Sequence, residues 1–412
     1  MSNVATYDTM KDSGIEWIGN VPSHWRIHTL YQLVTQVNDK NSALQEKNLL
    51  SLSYGKIKRK DIDSPDGLLP ASFDGYNIIE AGDIVLRLTD LQNDHTSLRV
   101  GLATERGIIT SAYTTLRPID RSNSKYLYYL IHAFDLKKGF YGMGSGVRQG
   151  LNYAEVKDLR VVVPSQDEQD AIVRYLDDQC LQIDSVIAEI KNSIEEYRKM
   201  RESIVFEVVT KGLSKECNTK DSGIDIIGEI PHTWHLRRLR FLCDVSTGNQ
   251  DTQNAIEDGE YPFYVRSPIV ERSSNYTFDC EGILMAGDGA GAGRVFHHAF
   301  GKYAVHQRVY CFRNFRAVLP RYFYYFMSNR FSKEMDKGSA KSTVPSVRLP
   351  MLLNFNITVP PKEEQLRICD YLDRTIGFID ALVLEKNELL AELEAYKRSL
   401  IFETVTGKRK VV

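Results

Sequence analysis

The chain has 412 residues, of which 42% are hydrophobic and 26% charged, with a formal net charge of −2 at pH 7. This composition is that of a globular protein and excludes an intrinsically disordered one, while the length favours two or more domains. The near-zero net charge argues against a uniformly basic nucleic-acid binder, although it permits local basic faces.

Membrane segments, disulfides and metal sites are not predicted. No run reaches the roughly 18 apolar residues that span a bilayer, and the N-terminus lacks the apolar core of a signal peptide, so we expect a cytoplasmic protein without membrane contact. The six cysteines lie far apart without a C-x-x-C pair, which indicates isolated thiols. The histidines form no H-E-x-x-H pattern, and we expect neither metal ligands nor catalytic residues.

The first distinctive segment occurs twice. Residues 11–30 read KDSGIEWIGNVPSHWRIHTL and residues 220–239 read KDSGIDIIGEIPHTWHLRRL, with ten identities in twenty positions. Glycine and proline in both copies predict an irregular segment that docks on the protein rather than a regular helix. Trp25 and Trp234 are predicted to be buried packing anchors, because Trp is largely buried in most proteins.

A divergent region follows each copy. Both regions are predicted to mix strands with one helix, since short β-branched or aliphatic runs are bounded by Gly, Asp and Pro. The predicted strands are residues 48–53, 84–89, 108–116, 261–265, 283–286 and 304–312, and the predicted helices are residues 126–134 and 322–331.

A 47-residue segment beginning at Pro164 recurs from Pro360 with 16 identities and no gap. Its first copy places apolar residues on alternating four- and three-residue steps, which predicts a long helix with a heptad seam that packs on its repeat. The seam residues are Leu176, Cys180, Ile183, Ile187, Ile190, Ile194, Tyr197, Ile204 and Val208, followed in the second copy by Leu372, Ile376, Ile379, Val383, Leu390, Leu393 and Leu400.

Polar residues mark the seams and ends of these helices. Arg201, Lys386, Lys397 and Thr404 interrupt the seams, and the three charged residues are expected to set the register or meet a partner. Ser165 and Glu168 predict a capping box, and glycines at 212 and 407 predict the helix ends. Residues 165–212 carry six basic and eleven acidic residues, so the first helix is acidic.

The glycine-rich run 287–293 formally contains G-x-G-x-x-A after a predicted strand. A dinucleotide site would also require a following helix and an acidic residue about 20 positions on. Neither is evident in the sequence, and a tight loop that approaches a partner is the better interpretation.

Candidate nucleic-acid contacts lie in both divergent regions. Arg and Lys suit guanine edges and phosphates, and Asn and Gln suit adenine. Each residue taken singly is more readily explained as solvated surface, but as a group they predict DNA binding. In the first region they are Lys56, Lys58, Arg59, Arg87, Thr89, Gln92, Asn93, Arg99, Ser145, Arg148 and Gln149, and in the second Asn249, Gln250, Tyr264, Arg266, Arg294, His297, Arg308 and Lys341.

The repeated segments, the P-x-x-x-E-Q entry to each long helix and the endings FEVVTKGL and FETVTGK resemble the DNA specificity subunit of type I restriction-modification systems. The resemblance implies a mixed α/β fold in which two globular target-recognition domains are joined by two long antiparallel coiled-coil helices, with an internal pseudo-twofold repeat. On this basis we expect target-recognition domains at residues 1–160 and 213–356 and spacer helices at residues 161–212 and 357–412.

The resemblance also implies the function. Such a subunit reads a bipartite, asymmetric site in double-stranded DNA and docks two modification (methyltransferase) subunits and, through them, restriction subunits. It is not itself an enzyme, and S-adenosylmethionine is expected on the modification subunit. Two alternatives stay open at this point: a coiled-coil scaffold whose inserts bind proteins rather than DNA, and a self-sufficient enzyme that uses the glycine-rich loop.

Overall fold

The computed structural model describes residues 5–63, 70, 72–94, 96–143, 150–214, 217–338 and 345–411. Contacts divide the chain into two compact units: unit 1 comprises Met1–Glu189 and Glu388–Val412, and unit 2 comprises Ile190–Asn387. Both boundaries fall inside long helices, so each unit contains part of both helices. The domain bounds expected from the sequence, at residues 1–160, 161–212, 213–356 and 357–412, stay a prediction.

Unit 1 contains twelve short strands within its described residues, together with two helices of its own. The helices are α1 (Ser124–Leu136) and α2 (Tyr153–Val156). The strands are β1 (Met10–Asp12), β2 (Asn20–Pro22), β3 (Arg26–Thr29), β4 (Val34–Gln36), β5 (Leu50–Ser53), β6 (Lys56–Arg59), β7 (Asn77–Ile79), β8 (Ile84–Leu86), β9 (Val100–Leu102), β10 (Gly107–Ile109), β11 (Thr114–Pro118) and β12 (Arg160–Val163).

Unit 2 repeats this plan. The two long helices α3 (Gln166–Lys211) and α6 (Lys362–Val405) run through both units, and α4 (Pro320–Gly338) and α5 (Leu349–Asn354) belong to unit 2. Its strands are β13 (Thr219–Asp221), β14 (Glu229–Pro231), β15 (His235–Arg238), β16 (Asp244–Thr247), β17 (Tyr261–Tyr264), β18 (Glu271–Ser273), β19 (Phe278–Asp279), β20 (Gly282–Ala286), β21 (Phe296–Ala299), β22 (Lys302–Val305), β23 (Val309–Arg313) and β24 (Asn356–Val359).

A four-stranded antiparallel sheet of the same topology forms the centre of each unit. Its strand order is β4-β11-β8-β9 in unit 1 and β16-β23-β20-β21 in unit 2. The aromatic helices α1 and α4 share hydrophobic cores with these sheets. The loops after the equivalent strands β8 and β20 therefore occupy equivalent positions, and both carry candidate DNA-binding residues.

The units differ beside this sheet. Unit 2 adds a second four-stranded sheet, β18-β17-β22-β19, whereas unit 1 has the two-stranded pairs β5-β6 and β10-β7. The continuous strands predicted at residues 108–116 and 304–312 are wrong, since each run is two strands. The breaks are turns in which Tyr113 N donates to Thr110 O and Val309 N donates to His306 O, at 3.2 and 2.9 Å.

The long helices have the predicted lengths and ends, with 46 residues in α3 and 44 in α6. At the start of α3, Ser165 N donates to Glu168 Oε2 and Glu168 N to Ser165 Oγ, as a capping box requires. Gly212 and Gly407 follow the ends with φ of 77° and 71°. A Cβ at Gly407 would lie 2.3 Å from Pro22 Cδ, so this ending needs glycine for space as well as for φ.

Within each unit the two helix segments run antiparallel. In unit 1, Trp25 bonds Glu168 near the start of α3 and contacts Gly407 after the end of α6, and farther along Lys397 Nζ lies 2.6 Å from Asp184 Oδ1. Unit 2 has the equivalent arrangement, with Arg201 Nε 3.1 Å from Asp380 Oδ1.

The three charged interruptions of the seams contact residues of the partner helix, whereas Thr404 Oγ1 donates to Leu400 O of its own helix. The third charged residue, Lys386, lies over the ring of Tyr197 with Nζ 5.6 Å from its centroid. Seam residues such as Leu176 and Leu372 are fully buried. The mixed α/β fold with two long coiled-coil helices, predicted from the sequence, is confirmed.

The repeated segments 11–30 and 220–239 are short antiparallel strand pairs rather than wholly irregular chain. Strand β1 pairs with β2 and β13 with β14, while β3 and β15 pair with the strands that precede the long helices. Trp25 and Trp234 have no exposed surface, which confirms that they are packing anchors. Each indole N–H donates to a helix glutamate, Glu168 at 3.2 Å and Glu364 at 2.9 Å.

Candidate nucleic-acid interface

Strands β5 and β6 of unit 1 form a hairpin with one basic face. The register pairs Ser51 with Lys58 and Ser53 with Lys56, and because side chains alternate along a strand these four residues share one face. Both lysines are exposed. The opposite face packs Leu50, Leu52 and Ile57 into a small hydrophobic core. Burial of one face therefore holds the lysines toward solvent.

Arg59 stands at the end of the hairpin and is committed to an ion pair. Its guanidinium contacts both carboxylate oxygens of Glu105, with Nε 2.8 Å from each. Since 72% of the Arg59 side chain remains exposed, such a pair contributes little to stability. Arg59 can therefore exchange Glu105 for a phosphate at small cost.

Tyr54 and Gly55 form the turn of this hairpin. Both have positive φ, 47° and 76°, as a two-residue type I′ turn requires. A side chain other than Gly, Asn or Asp in this region carries strain on the order of 1–3 kcal/mol. Yet Tyr54 is 73% exposed, so packing does not compensate for the strain. Sequence reasoning missed Tyr54, although a Tyr-Gly pair between two β runs was the available signal.

The hairpin turn lies beside the loop that follows β8. A Cβ placed on Gly55 would be 3.0 Å from Leu98 Cβ, which is near the end of that loop. Arg87 and Thr89 are half-buried in the loop, and Gln92 and Asn93 are exposed. The structure thus brings the basic hairpin and the loop amides, which the sequence placed some 30 residues apart, onto neighbouring elements.

Arg99 was predicted to contact DNA, but the structure shows that it is not available to do so. Its side chain has no exposed surface, and its guanidinium donates to the carbonyl oxygens of Thr89, Asp90 and Asp94 and to the Tyr141 hydroxyl. A buried guanidinium with these partners cannot reach a base edge. Its role is to hold the curved loop that presents Gln92 and Asn93.

The described residues just before α2 lie next to the same region. Leu151 N donates to Leu88 O at 2.8 Å, so the chain just before α2 lies against the start of the β8–β9 loop. The predicted contacts Ser145, Arg148 and Gln149 lie outside the described residues, as does Lys341 in the equivalent loop of unit 2.

In unit 2, two arginines that were predicted to contact DNA lie together at the glycine-rich loop. Arg266 NH1 lies 3.0 Å and Arg308 NH1 3.6 Å from the carboxylate of Asp288, whose side chain is 18% exposed. Asp288 is a common partner of both guanidinium groups, and the arginine side chains are 45% and 64% exposed. Sequence reasoning missed Asp288, because only the fold brings the three residues together.

The same loop does not have the geometry of a dinucleotide site. It leads into strand β21 rather than into a helix, and the Rossmann arrangement requires a helix N-terminus at the phosphates. Its glycines instead allow close backbone contact: a Cβ on Gly291 would lie 2.6 Å from Arg266 O. The loop is a tight support for the two arginines.

Four further candidates of unit 2 differ in how freely their side chains could reach a ligand. The Gln250 amide is engaged by Asn275 O and Ser273 Oγ, and Asn249 Oδ1 accepts from Thr277 Oγ1. The rings of Tyr264 and His297 have centroids 5.0 Å apart. Burial lowers the pKa of His297, partly offset by its hydrogen bond to Ser267 O, so this imidazole is neutral near pH 7. The exposed Asn249 is the freest of them to reach a ligand.

Arg294 lies in a different place from the other candidates. It lines an open cleft together with Arg198 and Arg201 of α3 and Lys333 of α4. This position makes it a candidate for phosphate rather than base contact, because three further basic side chains, from two helices, line the same cleft.

The described residues include no group of three or more His, Cys, Asp or Glu that could hold a metal ion. Among the same residues, no helix is long and apolar enough to cross a membrane.

Comparison with known proteins gives a consistent picture. A family model described as the type I restriction modification DNA specificity domain matches residues 231–395. The chain is 22% identical over 436 positions to the type I restriction enzyme MjaVIII specificity subunit of Methanocaldococcus jannaschii, with 95% of this chain and 94% of that protein covered. It is 23% identical over 181 residues to the EcoDI specificity subunit of Escherichia coli, which covers 44% of this chain and 40% of that protein.

A solved structure supports the fold. A chain from work on the complex assembly and conformational transition of the type I R-M system superposes with a TM-score of 0.67 at 16% identity, covering 93% of this chain and 98% of that one. At this identity the likeness establishes the shared fold.

Proposed function

We propose, since the chain is a member of the type I restriction-modification DNA specificity family, that each of its units reads one part of a split DNA site. The chain has the DNA sequence-recognition role in such a system. The main observation in support of a two-part site is that both units contain the same four-stranded sheet. The loops that follow equivalent strands of this sheet carry different polar residues. Two units with the same sheet but different loops would each bind DNA in a similar way and recognise different base sequences.

The two readers use different chemistry. Unit 1 offers lysines on a two-stranded ribbon, and unit 2 offers Arg266 and Arg308 paired with Asp288. Arg forms bidentate hydrogen bonds with guanine, while lysine acts on phosphates as a point charge. The site is therefore asymmetric.

We further propose that the chain has no catalytic centre and works with two modification subunits, and through them with restriction subunits. The surplus of acidic residues on α3 supports a protein partner rather than DNA on that helix, because phosphates repel carboxylates. S-adenosylmethionine is expected on the modification subunit. The alternative of a protein-binding scaffold has no support among the relatives.

Co-expression with candidate modification subunits, followed by methylome sequencing, tests the proposal. Methylation should appear at one split motif whose two parts differ. Arg308→Met should weaken the definition of one part by on the order of tenfold, since one good side-chain to base pairing is worth about 1–3 kcal/mol.

Arg316→Met is the matched control. Arg316 is also an exposed arginine of unit 2, but it pairs with Asp244 at the far edge strand of the sheet, so its loss should leave the motif unchanged. Absence of any sequence-specific methylation with every partner, or duplex binding that does not fall with salt, would refute the proposed function.

A further inference from the structure

The tip of the β5–β6 hairpin carries a residue that stability alone does not favour. In a two-residue turn with φ positive at both positions, Asn, Asp and Gly are the residues that fit without strain. Tyr54 occupies the first position with φ 47° and is 73% exposed. A large aromatic side chain that is both strained and solvated points to contact with something outside the chain.

The surroundings of Tyr54 match a nucleic acid. Ser53 and Lys56 are paired directly behind the tip, and Ser51 and Lys58 form the next pair on the same face. Hydroxyl and ammonium groups on a ribbon beside an aromatic ring are the groups that bind phosphates and bases. Acidic side chains are absent from the hairpin itself.

The tip is also fixed in position. Gly55 packs on Leu98, where an added Cβ would come within 3.0 Å, and Leu52 and Ile57 are packed in the core below. A two-stranded ribbon fits the major groove, which is about 12 Å wide. Tyr54 is therefore presented on a packed two-stranded ribbon rather than on a loose loop.

We propose that this hairpin is the element by which unit 1 enters the major groove, with Tyr54 contacting a base edge and Lys56 and Lys58 the flanking phosphates. The inference rests on the proposed function and names the residue that sets specificity in one part of the site. The phenol hydroxyl both donates and accepts a hydrogen bond, and the ring packs against the methyl group of thymine.

The test uses the full chain co-expressed with its modification subunits, with methylome sequencing and duplex binding as the readouts. Tyr54→Asn places a residue preferred in this turn, so its thermal midpoint should equal or exceed that of the natural chain. Discrimination at one base pair, in one part of the split motif only, should fall by on the order of tenfold. Tyr54→Phe keeps the ring and should lose less.

Leu44→Asn is the matched control. Leu44 is likewise exposed, at 49%, and has φ 52°, but it precedes β5 at the end opposite the turn. The substitution should therefore relieve similar strain without altering the motif. If Leu44→Asn and Tyr54→Asn change the motif equally, the specific role of Tyr54 is refuted.

The lysines make a separate prediction within the same assay. Lys56→Gln and Lys58→Gln should each weaken binding uniformly across sequences and lower the slope of log K against log salt by about one. A natural chain that binds no specific duplex overturns the proposed function and this inference together. A natural chain that binds its motif while Tyr54→Asn keeps full discrimination overturns this inference alone.

Discussion

His132 of α1 shows how burial within unit 1 makes one side chain sensitive to pH. Its ring is stacked on Tyr128 at a centroid distance of 5.5 Å, and only 7% of the residue is exposed. Burial, with a smaller contribution from Lys397, lowers the pKa of His132 to about 4. Since the unfolded chain binds this proton near pH 6.5 and the folded chain does not, the stability that neutral His132 allows is lost as pH falls below about 6.5.

We predict that His132→Phe, which keeps the stacked ring and removes the titration, changes this pH dependence. At pH 7.5 the protonation of His132 should contribute almost nothing to the difference in unfolding free energy between the two chains. We compare the difference in unfolding free energy, variant minus natural chain, at the two pH values. This difference should be about 2 kcal/mol more favourable to the variant at pH 5 than at pH 7.5. Urea unfolding at both pH values measures this.

Burial raises the pKa of Asp135 to about 6. This carboxyl group titrates in both chains, so its contribution to the unfolding free energy cancels from the comparison. Leu130→Val, another substitution in the core around α1, provides the control, because it removes no titratable group and should show the same difference from the natural chain at both pH values. An equal effect of His132→Phe at the two pH values would contradict the argument.

At the scale of elements, one glutamate joins the repeated segment to each long helix. Glu168 accepts from Trp25 Nε1 and from His24 and Ser165. Burial raises its pKa, but these hydrogen bonds outweigh burial and the pKa is lowered overall. The carboxylate is therefore the charged partner of a buried indole. In unit 2, Glu364 accepts the equivalent hydrogen bond from Trp234 Nε1.

We predict that Glu168→Ala locally loosens unit 1. A buried indole N–H without an acceptor costs about 1–3 kcal/mol, which is on the order of tenfold or more in local opening. Hydrogen–deuterium exchange should therefore accelerate in peptides covering residues 11–30. Glu168→Gln keeps an acceptor oxygen and should have the smaller effect.

The repeat supplies the control for this experiment. Peptides covering residues 220–239 should be unchanged in Glu168→Ala and accelerated in Glu364→Ala. Equal acceleration of both segments in either variant would show that the glutamates do not act locally.

At the scale of the molecule, α3 and α6 each belong to both units. The unit boundaries fall at Glu189–Ile190 in α3 and at Asn387–Glu388 in α6. Insertions at these two places lengthen the connections while leaving the contacts inside each unit intact. Insertion in one helix alone would shift its seam against the other.

We predict that a heptad inserted between Ile187 and Ile194, with a compensating heptad at the boundary in α6, alters the spacer between the two parts of the DNA site. Seven residues add about 10 Å of helix, on the order of three base pairs. Both specified parts should keep their sequences, as read by methylome sequencing. An unchanged spacer would refute the role of the helices in setting it.

The sequence by itself determined the repeated plan, the mixed α/β class and the position and length of both long helices. These features are local, because a heptad seam, a capping box at Ser165 and glycines after the last turns depend on residues near one another in the chain. Burial of Trp25 and Trp234 was predictable for the related reason that a large apolar ring has few favourable places outside a core.

Only the tertiary structure decided which polar residues are available. Arg99 and Arg59 both stand in polar stretches of the first divergent region, yet one is buried among carbonyl groups and the other is 72% exposed. Asp288 meets Arg266 and Arg308 through strands distant in sequence, and Tyr54 became a candidate only when its φ and exposure were known. Periodicity fixes which face of an element is apolar, but long-range packing fixes which polar group reaches solvent and which partner it meets.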